Sequence, residues 1–131
     1  MATQERPLSP HLQVYKPQIT MVMSILHRIT GVVLALGSLL LVAWLVAVAG
    51  GAAGFEHARS VLASVPGQIM LFGLSACLVY HFLNGIRHLA WDAGHGYDIP
   101  RLYASGYAVA VLTLVLTGGL WWLGLRMGGA A

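Results

Sequence analysis

Two groups of polar side chains interrupt the apolar stretches of this sequence, and their residue types could support chemistry. In the first group, Ser24, His27, Arg28 and Gly31 recur at the i, i+3, i+4 and i+7 spacing of one helical face. A hydroxyl, an imidazole and a guanidinium on one face can bind an anionic or carbonyl-bearing ligand. The alternative is an interfacial Arg28 whose side chain reaches the lipid headgroups. Spacing alone leaves both interpretations open.

The second group contains His81, Gly85, His88 and Asp92, which again share one helical face at i, i+4, i+7 and i+11. His81 lies seven residues deeper in its apolar segment than His88, which is about 10 Å along a helix. Imidazole is a strong ligand for iron, and we expect Gly85 to leave room for a flat macrocycle beside His81. The competing interpretation is a hydrogen bond from His81 to a neighbouring helix.

Two further polar residues, Asn84 and Arg87, fall on a neighbouring face of the same segment. We expect them to contact a partner subunit. A second interpretation places Arg87, His88 and Asp92 at the solvated end of a helix. Ionisable side chains are costly within a membrane segment, so each of them is a candidate functional residue.

Three long apolar runs must position these groups. They predict helices at about 21–49, 67–92 and 103–126, each at or beyond the roughly 20 residues that span the hydrocarbon of a bilayer. Backbone groups in hydrocarbon must be paired internally, so such runs form helices. The predicted fold class is an all-α membrane protein, with a polar segment at 1–20 and a three-helix transmembrane domain at 21–131. A short surface helix is predicted in the first loop, where Phe55, Ala58, Val61 and Leu62 follow helical spacing.

The composition supports this class. Hydrophobic residues form 58% of the 131 residues and charged residues 8%, with a mean hydropathy of +0.77. A soluble domain carries about a quarter charged residues, so the composition excludes that class and points to a lipid bilayer. The net charge of +3 comes from scattered cations that form no basic stripe, and we therefore expect no nucleic-acid partner.

The distribution of cations predicts an orientation. Only two of the seven Lys and Arg residues fall on the side of the first loop and the C-terminus, and the positive-inside rule then predicts a cytoplasmic N-terminus and an external C-terminus. Residues 1–16 lack the apolar core of a signal peptide, and we expect a bacterial inner membrane. The five cations of the cytoplasmic side are Arg6, Lys16, Arg28, Arg87 and Arg101, and the two external ones are Arg59 and Arg126.

Three motifs, taken together, resemble the cytochrome b subunit of succinate dehydrogenase, the respiratory complex II. They are RPLSPHLQVY at 6–15, SILHRITG at 24–31 and HFLNGIRHLAWD at 81–92. Each motif alone is weak, but three in this order and at these spacings are specific. The likeness extends over nearly the whole chain.

The resemblance implies a cofactor and a substrate. His81 matches the family's axial ligand to the iron of haem b, with the second axial histidine supplied by a partner membrane subunit. Ser24 and Arg28 match residues that line the ubiquinone site. His27 and Arg28 match positions near the haem propionates, and we include His88 among the candidate haem-site residues.

The resemblance also implies a four-protein complex. A flavoprotein subunit oxidises succinate, an iron–sulfur subunit relays the electrons, and two small membrane anchors hold haem b and the quinone. This chain would be half of that heterodimeric anchor bundle, with no succinate-oxidising site of its own, and its N-terminal strip would contact the iron–sulfur subunit. Ser24 would donate a hydrogen bond to a quinone carbonyl, and Arg28 would stabilise the negative charge that develops on reduction.

Two other functions stay open at this stage. One is a structural anchor that binds neither haem nor quinone. The other is a small transporter subunit that uses His81 and Arg28 as a proton or anion path.

Overall fold

The computed structural model describes residues 16–128, and all regular elements within that range are α-helices. Three of them are long and apolar enough to cross a membrane. The predicted all-α fold with three membrane-spanning helices is therefore confirmed, and the short helix predicted in the first loop is present as α2. The RPLSPHLQVY motif lies outside the described residues. The helices are α1 (Ile19–Ala49), α2 (Ala52–Ala63), α3 (Val65–Asp92) and α4 (Ile99–Gly128).

The membrane helices extend beyond the apolar runs at their N-terminal ends. Helix α4 begins at Ile99 rather than near 103, because Pro100 and Arg101 interrupt the apolar run without interrupting the helix. A proline in the first turn has no N–H to leave unpaired. Helix α3 likewise has Pro66 in its first turn, and the Ser64 hydroxyl caps it by accepting from the Gly67 N–H at 3.3 Å.

Helix α3 is central to the bundle. It packs against both α1 and α4, while α1 also contacts α4, and α2 contacts α1 and α3. Two tight turns are made by glycines with positive φ, Gly51 between α1 and α2 and Gly94 after α3. This arrangement brings the N-terminal half of α1, the C-terminal half of α3 and the start of α4 to one end of the bundle.

The bundle is more polar inside than outside. Among the described residues, Met23 and Val109 are the only buried large apolar side chains, whereas many large apolar residues, such as Leu114, are exposed. Hydrocarbon gives apolar surfaces no reason to associate, so small residues and hydrogen bonds hold such helices together. The buried polar side chains are Thr30, Asn84, Arg87 and Thr117.

Candidate functional site

Three imidazoles from the two predicted groups meet at the interface of α1 and α3. The His27 ring stacks on His81, with centroids 3.9 Å apart and planes 8° apart, and on His88, at 4.9 Å and 20°. His81 and His88 are two turns apart on α3, and His27 reaches in between them from α1. The structure thus joins one member of the first group to two members of the second.

A pair of glycines makes this close approach possible. A Cβ at Gly31 would lie 3.0 Å from His81 Cε1, and a Cβ at Gly85 would lie 3.9 Å from His27 Cε1. Each helix therefore presents a glycine where the other helix places an imidazole. The expected open space at Gly85 differs from what the structure shows, because the His27 ring of α1 already lies over that glycine.

The hydrogen bonds of His81 determine its tautomer. Its Nδ1 lies 3.1 Å from the backbone oxygen of His27 and 3.1 Å from Thr30 Oγ1. A carbonyl oxygen can only accept, so Nδ1 carries the proton and Nε2 keeps its lone pair. The helix–helix hydrogen bond considered for His81 is therefore present, and it leaves Nε2 available as a ligand.

Thr30 is a site residue that the sequence interpretation did not single out. Its hydroxyl lies 2.8 Å from the backbone oxygen of Leu26, to which it donates, so it can accept the proton of His81 Nδ1. It is buried within the helix interface. The sequence does show a hydroxyl one turn after His27, which could have indicated a site residue. Only the position of α3 shows that the Thr30 hydroxyl contacts His81.

The stacked rings do not form a multidentate metal site. Within residues 16–128, no group of three or more His, Cys, Asp or Glu side chains is placed to hold a metal ion. Imidazole binds a metal through an in-plane lone pair, so rings stacked face to face do not direct their nitrogens at one centre. His27 Nδ1 is buried and has no hydrogen-bond partner in this range, while His88 Nδ1 lies 2.7 Å from the backbone oxygen of Asn84.

Ser24 and Arg28 lie one turn apart on α1. Ser24 is half-buried and Arg28 is exposed. The ion pairs of the described region involve other arginines, so Arg28 presents an uncompensated charge at the surface of the bundle.

Asn84 and Arg87 correct a prediction. Neither is a surface residue: Asn84 is 0% exposed and Arg87 is 5% exposed. The amide of Asn84 approaches the backbone oxygen of Met23 at 3.5 Å, and Arg87 donates to Ser105 Oγ at 2.9 Å. The expected partner contact and the solvated position of Arg87 are wrong because α1 and α4 cover these two faces of α3. Asp92, by contrast, is exposed as predicted for a helix end.

Comparison with known proteins assigns the family. The family described as "Succinate dehydrogenase/Fumarate reductase transmembrane subunit" matches residues 2–120, which include the whole imidazole cluster. The chain belongs to this family. It is accordingly a multi-pass membrane protein and a membrane subunit of the succinate dehydrogenase type, as the three motifs predicted.

Individual relatives agree with this assignment. The chain is 42% identical over 117 residues to the succinate dehydrogenase cytochrome b556 subunit of Rickettsia typhi, covering 89% of this chain and 91% of the relative. It is 43% identical over 118 residues to the b556 subunit of Paracoccus denitrificans, covering 85% and 91%. It is also 42% identical over 117 residues to the mitochondrial b560 subunit of Homo sapiens, covering 88% and 69%.

Proposed function

We propose that this chain is the membrane-anchor cytochrome b subunit of a succinate:ubiquinone oxidoreductase, in which it ligates haem b and forms part of the ubiquinone-reduction site. The observation that carries the proposal is the state of His81. Its Nδ1 is occupied by the His27 carbonyl and Thr30, and its Nε2 makes no hydrogen bond within residues 16–128. An imidazole whose first nitrogen donates to a carbonyl, and whose second nitrogen is unpaired, is the arrangement expected of a metal ligand.

The donor set of the cluster fits haem. His81 is the residue that would hold the haem iron, and haem b would supply a one-electron redox centre when bound. His27 stacks on His81 and His88 stacks on His27, so both rings lie on one side of the proposed ligand. The family resemblance implies that a second histidine would come from a partner membrane subunit. The unpaired Nδ1 of His27 and the uncompensated guanidinium of Arg28 suit the propionates. His88 completes the imidazole stack at the outer side of His27.

Ser24 and Arg28 are the proposed contribution to the quinone site. One turn of helix separates them, so one head group can contact both side chains. The Ser24 hydroxyl donates a hydrogen bond to a carbonyl oxygen, and Arg28 stabilises the negative charge that develops on that oxygen. The proposed partners are a second small membrane anchor, an iron–sulfur subunit that delivers the electrons and a flavoprotein subunit that oxidises succinate.

The proposed orientation places this site near the cytoplasmic surface of a bacterial inner membrane, with the N-terminus inside and the C-terminus outside. The helix packing supports it: Arg28, Arg87 and Arg101 belong to the end of the bundle that contains the imidazole cluster. Arg59 in α2 and Arg126 near the end of α4 belong to the other end. Cations concentrate on the cytoplasmic side of membrane proteins.

Purification of the tagged chain from its native membranes in mild detergent tests the proposal. We expect mass spectrometry to find a flavoprotein, an iron–sulfur protein and a second small membrane protein, and the reduced-minus-oxidised spectrum to show the sharp bands of a six-coordinate haem b. The same partners without haem bands would support a structural anchor instead. Absence of the dehydrogenase subunits, together with solute uptake in proteoliposomes, would support a transporter subunit.

Gly31→Ala tests the proposed haem ligand without removing it. The new Cβ would lie 3.0 Å from His81 Cε1, so the imidazole must shift by a few tenths of an ångström. Such overpacking typically costs about 1–3 kcal/mol, and we expect a lower haem content per complex and altered reduced bands. Gly73→Ala on α3 is the matched control, because nothing lies within 4 Å of its Cβ position. Equal haem content and spectra in the two variants would contradict the assignment of His81.

A further inference from the structure

The Thr30 hydroxyl lies between α1 and α3 and is close to three polar atoms. Its Oγ1 is 2.8 Å from the backbone oxygen of Leu26, 3.0 Å from that of His27 and 3.1 Å from His81 Nδ1. The residue is buried. A hydroxyl has one hydrogen to donate, and both carbonyls can only accept it. The hydrogen is therefore used on α1, and an oxygen lone pair is left to accept the Nδ1 proton of His81.

Contacts on three sides hold the His81 ring at this position. Its Nδ1 donates to two acceptors, the His27 carbonyl and the Thr30 hydroxyl, each at 3.1 Å. The His27 ring covers one face of the imidazole, with centroids 3.9 Å apart. The backbone at Gly31 is so close that a Cβ there would lie 3.0 Å from His81 Cε1. Among these groups, only the hydroxyl can be removed without changing the main chain or the imidazole stack.

Thr113 on α4 shows how a threonine hydroxyl is paired in a membrane helix without such a neighbour. Its Oγ1 donates to the backbone oxygen of Val109 at 2.7 Å, and within residues 16–128 it makes no second hydrogen bond. A bond to residue i−4 is an ordinary way to pair a hydroxyl inside a helix. Thr30 makes the same bond to Leu26 and also reaches an imidazole on another helix. The contact with His81 is therefore not needed to pair Thr30, and its effect falls on the imidazole.

We propose that Thr30 is a positioning residue for the proposed haem ligand: its hydroxyl accepts the Nδ1 proton of His81 and makes Nε2 a stronger donor to iron. This inference rests on the proposed role of His81. An imidazole that shares its Nδ1 proton with an acceptor has a more basic second nitrogen. A stronger donor favours ferric over ferrous iron, because the ferric ion has the higher charge. Thr30 therefore lowers the reduction potential of the haem that His81 would hold.

Thr30→Val in the intact purified complex tests this inference, because it replaces the hydroxyl by a methyl group of similar size. The measurement is a spectroelectrochemical titration of the haem bands. We expect the ratio of reduced to oxidised haem at a fixed applied potential to rise by about three- to tenfold, the range of one neutral hydrogen bond. The His27 carbonyl still accepts from His81 Nδ1, so six-coordinate haem should be retained.

Two further variants separate the effect of the hydroxyl from the effect of packing. Thr30→Ser keeps the hydroxyl and removes only the methyl group, so its haem should have the wild-type potential. Thr113→Val is the matched control, because it removes a hydroxyl that bonds only within α4 among the described residues. It should also leave the potential unchanged. If Thr30→Val does not assemble, Thr30→Ala removes the same hydroxyl with less volume and carries the same expectation.

Four outcomes would overturn the inference. The first is a wild-type potential in Thr30→Val at normal haem content. The second is an equal shift in Thr30→Ser, which would assign the effect to the methyl group, and the third is an equal shift in Thr113→Val. The fourth is loss of assembly in both Thr30→Val and Thr30→Ala, which would make Thr30 a helix-packing residue. A wild-type complex without haem bands would instead refute the proposed haem function, and this inference with it, so the two failures are distinguishable.

Discussion

Replacement of His81 by alanine is expected to abolish the six-coordinate haem signal of the purified complex. His81 Nε2 is the proposed iron ligand, and its imidazole is oriented by the bond from Nδ1 to the His27 carbonyl. His27 and His88 should not replace it, because the His27 ring lies beside His81 and the His88 ring lies beyond His27, so neither ring occupies the position of His81 Nε2. The measurement is the reduced-minus-oxidised absorption spectrum, with the haem content determined separately.

His88→Ala is the matched comparison, because it removes the same side chain two turns away on the same helix. His88 Nδ1 is bonded to the Asn84 carbonyl of its own helix, and its ring contacts His27 rather than His81. We expect this variant to keep six-coordinate haem with a small spectral shift. An unchanged bis-imidazole spectrum in His81→Ala would refute the assignment of His81 as the ligand. Loss of haem from His88→Ala, but not from His81→Ala, would indicate His88 as the ligand instead.

The second large effect is expected at the quinone site. Ser24→Ala removes a hydroxyl and little volume from a half-buried position, so the fold and the haem should survive. A lost hydrogen bond to a charged group typically costs about 1.5–3 kcal/mol. Quinone reduction should therefore fall roughly ten- to hundredfold. In Arg28→Leu the rate of quinone reduction should fall further, because this substitution removes the charge proposed to stabilise the reduced oxygen and to hold a propionate.

The informative quantity is a ratio measured in the same membranes: succinate-dependent quinone reduction divided by succinate-dependent reduction of an artificial dye. The dye takes electrons before they reach the membrane subunits, so its reduction should stay near the wild-type rate. Ser38→Ala is the matched control on α1, since that hydroxyl is exposed and bonds only to the backbone oxygen of Ala35. A wild-type ratio in both Ser24→Ala and Arg28→Leu would exclude this face as the quinone site.

The membrane helices could be predicted because hydrocarbon imposes a simple rule on sequence. Every backbone group must be paired within its segment, and about 20 apolar residues are needed to cross. The apolar runs at 21–49 and 67–92 accordingly end where α1 and α3 end. The predicted start of α4 near 103 differs from its observed start at Ile99, because Pro100 and Arg101 end the apolar run but fit within a first helical turn.

The candidate site was predicted only as faces of separate helices. The spacing of Ser24, His27 and Arg28 places them together on α1, yet His27 turns into the interface while Arg28 is exposed. The polar face predicted for α1 thus lies partly in the interface with α3 and partly on the outer surface of the bundle. Arg87 shows the same limit: its charge suggested a solvated end, and burial against α4 was not visible in the pattern of its own segment.

The sequence by itself determined that this chain has three membrane-spanning helices, that His81 lies within an apolar segment, and that the motifs match those of succinate dehydrogenase membrane subunits. These properties depend on the solvent and on residues close together along one helix. Only the tertiary structure decided that His27 stacks between His81 and His88, that the His81 proton lies on Nδ1, and that Arg87 is buried. Those outcomes depend on the rotation of each helix about its own axis, which is set by packing such as His81 over Gly31 and His27 over Gly85. The spacing of residues along a single helix does not determine that rotation.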